Sequence, residues 1–409
     1  MGLILRTFTT WRMAVILLLG FSSGIPLALT GSTLQAWMKS ENADLTVIGL
    51  FSLVGLPYVL KFLWAPLMDR YIPPFLGRRL GWILLSQVAL VAAITAMAFS
   101  SPVALPVAAA TIAVLISFFS ASQDIVVDAY RTDVAEKEDV GPAASLYIAG
   151  YRIALLVSGA LALILADHLP WRAVYLLMAG TMGIGILATL FAPEPKTPGT
   201  PPQSIAEAVT LPLMEYFKRK GAVEMLAFIA LYKIDVVIAM AMTTPFLLEI
   251  GFTKTDIGAV TKGFGLVATL LGTLTGGALM VTLGMKRSLW IFGVSQGVSG
   301  LSFMALAHLG HHYPMLVAAI AVENFCSGMG TAAFTAFLMI LCDKRFSATQ
   351  YALLTSMMGL SRVIGGAPTG YLAKAVGWES YFFISVLAMI PGLLLLTRYS
   401  KWSLPQPVK

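Results

Sequence analysis

Cysteine is almost missing from this chain. The two present, Cys326 and Cys342, lie sixteen residues apart in one apolar run read as a helix, where they cannot meet, so no disulfide or thiolate metal framework is implied. Histidine is scarce too, with four residues. Three of these, His308, His311 and His312, share a predicted turn with no Cys or carboxylate near them in sequence, and the expectation is that the chain holds no metal. A Walker-type phosphate loop is also lacking, which argues against direct ATP hydrolysis. The deepest deficit is charge: Asp, Glu, Lys and Arg make up 11% of the residues, against about 25% in soluble domains.

Apolar residues fill that gap, at 58% of the chain with a mean hydropathy of +0.84. Runs of the length needed to cross about 30 Å of hydrocarbon as helix recur from end to end. This is the composition of an all-α integral membrane protein; a transmembrane β-barrel would alternate over about ten residues instead. Charged and Pro/Gly punctuation predicts twelve transmembrane helices, at about 12–38, 45–68, 80–100, 103–130, 142–166, 171–192, 222–248, 255–282, 288–308, 313–341, 348–374 and 379–398. The first has no small-residue cleavage pattern behind it and reads as a retained helix, not a signal peptide.

Lys and Arg are unequally divided between the two sides of these spans: eighteen on one, and Lys39, Arg172, Lys254 and Lys374 on the other. The positive-inside rule places both termini in the cytoplasm. The net charge of +7 is thus a topological signature and gives no reason to invoke nucleic acid. One long Pro-rich link, 194–221, separates six spans in 1–193 from six in 222–409. Ile48-Gly49 and Ile257-Gly258 are 209 apart, and Arg152 and Arg362 are 210 apart, which suggests duplicated halves of parallel topology. That is the plan of the major facilitator superfamily, with solute bound near the bilayer midplane between halves.

Segment 64–82, "WAPLMDRYIPPFLGRRLGW", resembles that superfamily's Asp-Arg…Gly-Arg-Arg loop with a longer gap. Its expected role is a gate: Asp69 with Arg70, Arg78 and Arg79 as an ion-paired latch holding the cytoplasmic face closed, or, for the last two, a positive-inside anchor. Because the link between the eighth and ninth spans has no acid, any latch is expected to stay within the first half. Pro26, among Ser22, Ser23, Gly24 and Thr30, is expected to break the first helix and bend it during gating.

Nine charges fall inside the spans: Lys61, Asp124, Asp128, Arg152, Lys233, Asp235, Lys262, Glu323 and Arg362. At about 2.5 kcal/mol each, their exposure to lipid would cost roughly 20 kcal/mol, more than a folding free energy. They must face a wet cavity or one another. Five cations against four acids suit an anionic or zwitterionic solute, with Arg152 and Arg362 deepest; Lys233 has the alternative of snorkelling to the interface. In "SQDIVVDAYRTD" (122–133), Asp124 and Asp128 are four apart on one helix face, with Arg131 three further on. Two like charges at that spacing favour a shared proton, which makes them candidates for proton coupling along with Glu323. The competing reading ties Asp128, Arg131 and Asp133 together as a structural ion pair at the helix end.

Several segments, "GFSSGIPLALTGSTLQAWM" (20–38), "SQDIVVDAYRTD", "GYR" (150–152), "LYK" (231–233), "ENFCSGMGTAAF" (323–334) and "SATQYALLTS" (347–356), resemble the AmpG family of muropeptide permeases over most of the chain. The Gln-Asp-x-x-x-Asp stretch is shared with eukaryotic acetyl-CoA transporters, so transport of acetyl-CoA or another organic anion is the alternative. A membrane-embedded acyltransferase is a second one. The resemblance implies a monomeric, proton-driven importer of GlcNAc-1,6-anhydroMurNAc, with or without peptide, in the bacterial inner membrane. It would serve cell-wall recycling and, where inducible β-lactamases exist, their induction; no cofactor is implied beyond the proton gradient. Some members continue past twelve spans, so the core mechanism is expected not to need further ones. Peptide carboxylates would meet Lys61, Arg152, Lys262 and Arg362, with Lys233 and Asp235 nearby, and sugars would meet Gln35, Trp37, Gln123, Tyr151 and Asn324. Trp37 also suits an interfacial anchor.

Overall fold

The computed structural model describes residues 10–43, 47, 51–136, 139–195, 202–366 and 368–404, with the backbone alone at 52, 254, 255, 262, 359–364 and 366. Hydrocarbon offers no partner for a backbone N–H or C=O, so continuous apolar runs close their hydrogen bonds internally as helix. Among the described residues, nine helices are long and apolar enough to cross a membrane. One of them, Gly258–Leu309, contains both the eighth and the ninth predicted spans. Gly284, at φ 72° and ψ 165°, parts the two where no residue with a Cβ sits easily.

Several predicted spans are interrupted. The second is not one helix: 3₁₀ turns at Phe51–Gly55 and Lys61–Leu63 flank the short helix Leu56–Leu60, and Ala65–Arg70 follows. Gly55, Pro57 and Pro66 account for the breaks, since the prolines supply no backbone donor. The fifth passes from Val140–Leu155 through a π-helical turn, Leu156–Leu161. In the first, Pro26 stays inside the continuous helix Trp11–Thr30, and the Thr30 hydroxyl donates to its carbonyl at 3.1 Å. The break expected at Pro26 lies instead at Gly31 (φ −108°, ψ −111°), before the helix Ser32–Ser40. Ile48-Gly49, half of the repeat evidence, lies outside the described residues.

The Pro-rich link also differs from expectation, because it contains the helix Ile205–Phe217. Ser204 caps it by accepting from the Glu207 N–H at 3.0 Å, and the Glu207 carboxylate reaches back to the Gln203 N–H at 2.7 Å. This Ser-x-x-Glu signature was legible in the sequence. Ala208, Pro212 and Tyr216, at four-residue spacing, turn inward against Ala65–Arg70 and Ser347–Gly366. The linker helix therefore touches both halves.

At several glycines the helices approach more closely than a Cβ would allow. One placed on Gly272 would come within 2.0 Å of the Phe325 carbonyl oxygen, and one on Gly277 within 2.1 Å of the Ser145 hydroxyl. The second contact joins helix Gly265–Ser299 of the C-terminal half to Val140–Leu155 of the N-terminal half. A core running through both halves, from Met13 and Ile125 to Phe228, Phe334 and Tyr351, occupies the end of the molecule near residues 69–79. Toward the other end this core divides in two, one around Ile25, Trp37 and Tyr175 and one around Phe246, Phe303 and Phe382. The halves thus share one core at one end and have separate cores at the other.

Candidate functional site

At the fused end, Asp69 closes helix Ala65–Arg70 and is fully buried. Its Oδ1 accepts from Arg78 at 3.1 Å and Arg79 at 3.0 Å; its Oδ2 accepts from the Thr349 N–H at 2.7 Å and the Thr349 hydroxyl at 2.6 Å. Arg79 also donates to Asp133 at 2.7 Å and to the Ser347 hydroxyl at 2.7 Å, and Arg78 donates to the Arg345 carbonyl at 2.9 Å. The Arg79 and Leu80 N–H groups at the start of helix Gly77–Ala98 bind the Glu194 carboxylate, which meets the positive end of the helix dipole. Lys344 adds bonds to the carbonyls of Asp133 and Ala135.

This arrangement corrects two expectations. The latch is not confined to the first half, because Asp69, Arg78 and Arg79 all bind residues 345–349 of the second. Nor are Arg78 and Arg79 anchors exposed to lipid headgroups, since the first is 5% exposed and the second fully buried. Arg70 takes no part in those bonds and stacks over the Tyr71 ring at 5.1 Å. Ser347 and Thr349 were missed although they stand in a quoted segment: neutral hydroxyls carry no signal until a fold sets them against a buried carboxylate.

Deeper in, Asp128 of helix Pro106–Val134 takes part in a contact between the halves. Asp128 pairs with Arg131 at 2.7 Å and with Lys61 at 3.7 Å. Arg131 hydrogen-bonds the hydroxyl of Tyr351 from the second half, with its guanidinium 4.1 Å from the Tyr147 ring centre and 5.1 Å from that of Tyr351. Asp133 is absent from this group, being bound to Arg79. The ion pair expected at the helix end is therefore a contact across the interface, and Arg131, counted from sequence as a surface cation, is buried. Asp124 lies one turn further from the latch, with Lys61, Asp128 and Arg131 as its charged neighbours. It is 8% exposed, and its Oδ1 has no hydrogen-bond partner among the described residues.

A second buried polar cluster forms within the C-terminal half. Lys233, in the break between helices Ala222–Leu231 and Ile234–Glu249, does not snorkel to an interface; it donates to Gln296 at 2.7 Å, Thr331 at 2.9 Å and the Ser327 carbonyl at 3.3 Å. The Gln296 amide in turn donates to both oxygens of Asp235 at 3.0 Å. Glu323 accepts from the Ser299 hydroxyl at 2.5 Å. Gln296, the hub, was not foreseen; an uncharged amide in an apolar run reads as ordinary.

The remaining candidates divide. Tyr151 and Arg152 are half-buried, and the Tyr151 ring lies 6.2 Å from that of Tyr147. Asn324, also half-buried, accepts from Thr269 at 3.0 Å and donates to the Ile320 carbonyl at 2.9 Å. Gln123 is fully buried and donates to Ser22 and Ser23, so it ties two helices together. Trp37 stacks on Trp171 and donates to Glu41 at 2.7 Å inside the separate N-terminal core; Gln35, on the same short helix, is exposed. The side chains of Lys262 and Arg362 lie outside the described residues. His308, read as having no carboxylate near it in sequence, has Glu379 at 3.1 Å across the fold, though no group of three metal-binding side chains forms among the described residues.

The sequence matches the Major Facilitator Superfamily over residues 16–247 and again over 225–407. It is 49% identical to the anhydromuropeptide permease of Escherichia coli K12 across 96% of this chain and 80% of that one. The chain belongs to the anhydromuropeptide permease family. This AmpG-type membership makes it a transporter and not an enzyme, and the resemblance read from its motifs holds. An uncharacterized protein of Haemophilus influenzae is 41% identical over 95% of this chain and 94% of its own. Among solved structures, the proton:xylose symporter XylE superposes with a TM-score of 0.74 at 12% identity, covering 96% of each chain. A bacterial homologue of the iron transporter ferroportin, in an outward-facing state, gives 0.70 at 16% identity over 97% of this permease and 99% of that chain. At such identities the likeness is one of fold.

Proposed function

We propose that this protein imports anhydromuropeptides, GlcNAc-1,6-anhydroMurNAc with or without peptide, from periplasm to cytoplasm of a bacterium by proton-coupled alternating access. It works as a monomer of twelve crossings in the inner membrane, with halves 1–193 and 222–409, both termini cytoplasmic, and the latch on the cytoplasmic side. The imported product feeds cell-wall recycling and, where inducible β-lactamases are present, the inducing signal. The observation that carries the reading is Asp124: a carboxylate almost removed from solvent, with one oxygen unsatisfied, one helical turn from the Asp128–Arg131–Tyr351 contact between halves. Gain or loss of one proton there changes the charge balance at the contact that must break and reform during alternation.

Fusion of the cores at the latch end and their separation at the other support a crevice open to the periplasm in this structure. A solute entering it would meet Tyr151, Arg152 and Lys233. Its peptide and muramyl carboxylates suit the planar fork of arginine.

Purified protein in liposomes, given labelled anhydromuropeptide with and without an inward proton gradient, tests this directly. Accumulation that collapses with a protonophore is the expected result, and Asp124→Asn abolishes it. Full proton dependence in that variant would refute Asp124 as the coupling group. Displacement of the label by acetyl-CoA, or its chemical turnover without accumulation, would refute the cargo or the class.

A further inference from the structure

We propose that the N-terminal half contains a file of ordered water, distinct from the crevice between the halves, that carries protons to Asp124 from the end opposite the latch. The proposal rests on the proton-driven transport argued above and assigns that transport a path. On helix Pro106–Val134, Ser117, Ser120 and Asp124 recur at spacings of three and four and share one face. Ser117 and Ser120 are fully buried. Neither of their hydroxyls, nor the Tyr58 hydroxyl, nor Asp124 Oδ1, hydrogen-bonds a protein group among the described residues. The Tyr58 hydroxyl lies beside Ser120 and Thr30 and near Asp124, so these orphaned oxygens form one group.

An isolated buried oxygen of this kind costs about 1 to 3 kcal/mol. A run of such oxygens along one helix face, with the Tyr58 hydroxyl beside it, is the setting in which bound water supplies the missing partners. From Asp124 to Ser117 the helix rises about 10 Å, the length of three or four water molecules in line at about 2.8 Å each. Toward the latch the file is stopped by Arg131, held on Asp128 and stacked between the rings of Tyr147 and Tyr351. Toward the other end of the same half lie the helix break at Gly31 and the π-helical turn Leu156–Leu161, joined where the Thr33 hydroxyl donates to the Ser158 carbonyl at 2.7 Å.

Two substitutions test it in proteoliposomes. Ser120→Val removes the hydroxyl and fills the space, while Ser120→Thr restores a hydroxyl at nearly the same volume. Gradient-driven uptake of labelled anhydromuropeptide is compared with solute–solute exchange measured without a gradient, which needs alternation but no net proton movement. Ser120→Val is expected to lower gradient-driven uptake by about tenfold or more, the scale on which losing a proton-transfer partner acts. Exchange and the half-saturating solute concentration should stay as in wild type, and Ser120→Thr should recover uptake. Unchanged uptake in Ser120→Val overturns the file, as does an equal fall in uptake and exchange, which marks a packing role. Wild-type uptake indifferent to the gradient overturns the proton-coupled reading itself, before any variant is compared.

Discussion

Replacing Asp69 with Asn keeps the shape of the latch and removes its charge. The carboxylate takes four donors within 3.1 Å, two from Arg78 and Arg79 and two from Thr349. An amide can offer one oxygen to these donors, and its NH2 then faces groups that are themselves donors. Breaking a buried ion pair by removing one partner costs about 3 to 5 kcal/mol. Because Thr349 lies across the interface from Asp69, that cost falls on the closed latch; once the halves separate, water solvates the freed groups. A shift of about 3 kcal/mol moves the balance between closed and open latch by roughly a hundredfold. Cys342, free and 5% exposed beside this end, is the reporter, read in a Cys326→Ser background so that one thiol remains. Its maleimide labelling rate follows the fraction of time the latch is open. The expected rise in the Asp69→Asn variant is about a hundredfold by the same arithmetic. A well-folded variant whose Cys342 labels at the wild-type rate would show that Asp69 does not hold the halves together.

Arg131→Lys keeps the charge but loses the planar group stacked on Tyr147 and bonded to Tyr351, so maximal uptake should fall; a lysine variant as fast as wild type would mean that charge alone suffices. Gly272→Ala forces a Cβ to within 2.0 Å of the Phe325 carbonyl oxygen, an overpacking worth about 1 to 3 kcal/mol, and the melting temperature in detergent should drop; an unchanged value would refute the close approach. Near the latch, partial burial pushes the Asp343 carboxyl up, but hydrogen bonds from Arg345 outweigh it and hold the group below its ordinary 3.8. A lowered carboxyl stabilises the fold above its unfolded value and loses that contribution as pH falls through the folded one. Removing Arg345 with Arg345→Ala should therefore lower thermal stability at neutral pH, with the difference from wild type shrinking as the Asp343 carboxyl takes up its proton at acid pH; a difference independent of pH would refute it.

Legibility in the sequence followed the strength of the local signal. Continuous apolar runs gave helices because hydrocarbon leaves the backbone no other way to satisfy itself. Asp124, Asp128 and Lys61 stood out because charge in such a run is too costly to be idle. Ser347, Thr349, Tyr351 and Gln296 did not, since a hydroxyl or an amide is tolerated in many places and acquires a role only through what faces it. The second span was overread as one helix, for hydropathy over 45–68 is indifferent to the backbone donors that Pro57 and Pro66 lack. At Pro26 the error ran the other way: the Thr30 hydroxyl engages the proline carbonyl and the helix continues to Gly31.

By itself, then, the sequence determined that this chain lives in a membrane, that it is helical, which family it resembles and which charges are costly enough to matter. These follow from composition and spacing, which act along the chain. Tertiary structure alone decided the partners: Asp69 with Thr349, Arg79 with Asp133 and Ser347, Arg131 with Tyr351, and Lys233 and Asp235 sharing Gln296. Three of these groupings join residues more than two hundred positions apart, a separation over which periodicity carries no information. A buried charge must find a counterpart, but only the packing of one half against the other fixes which.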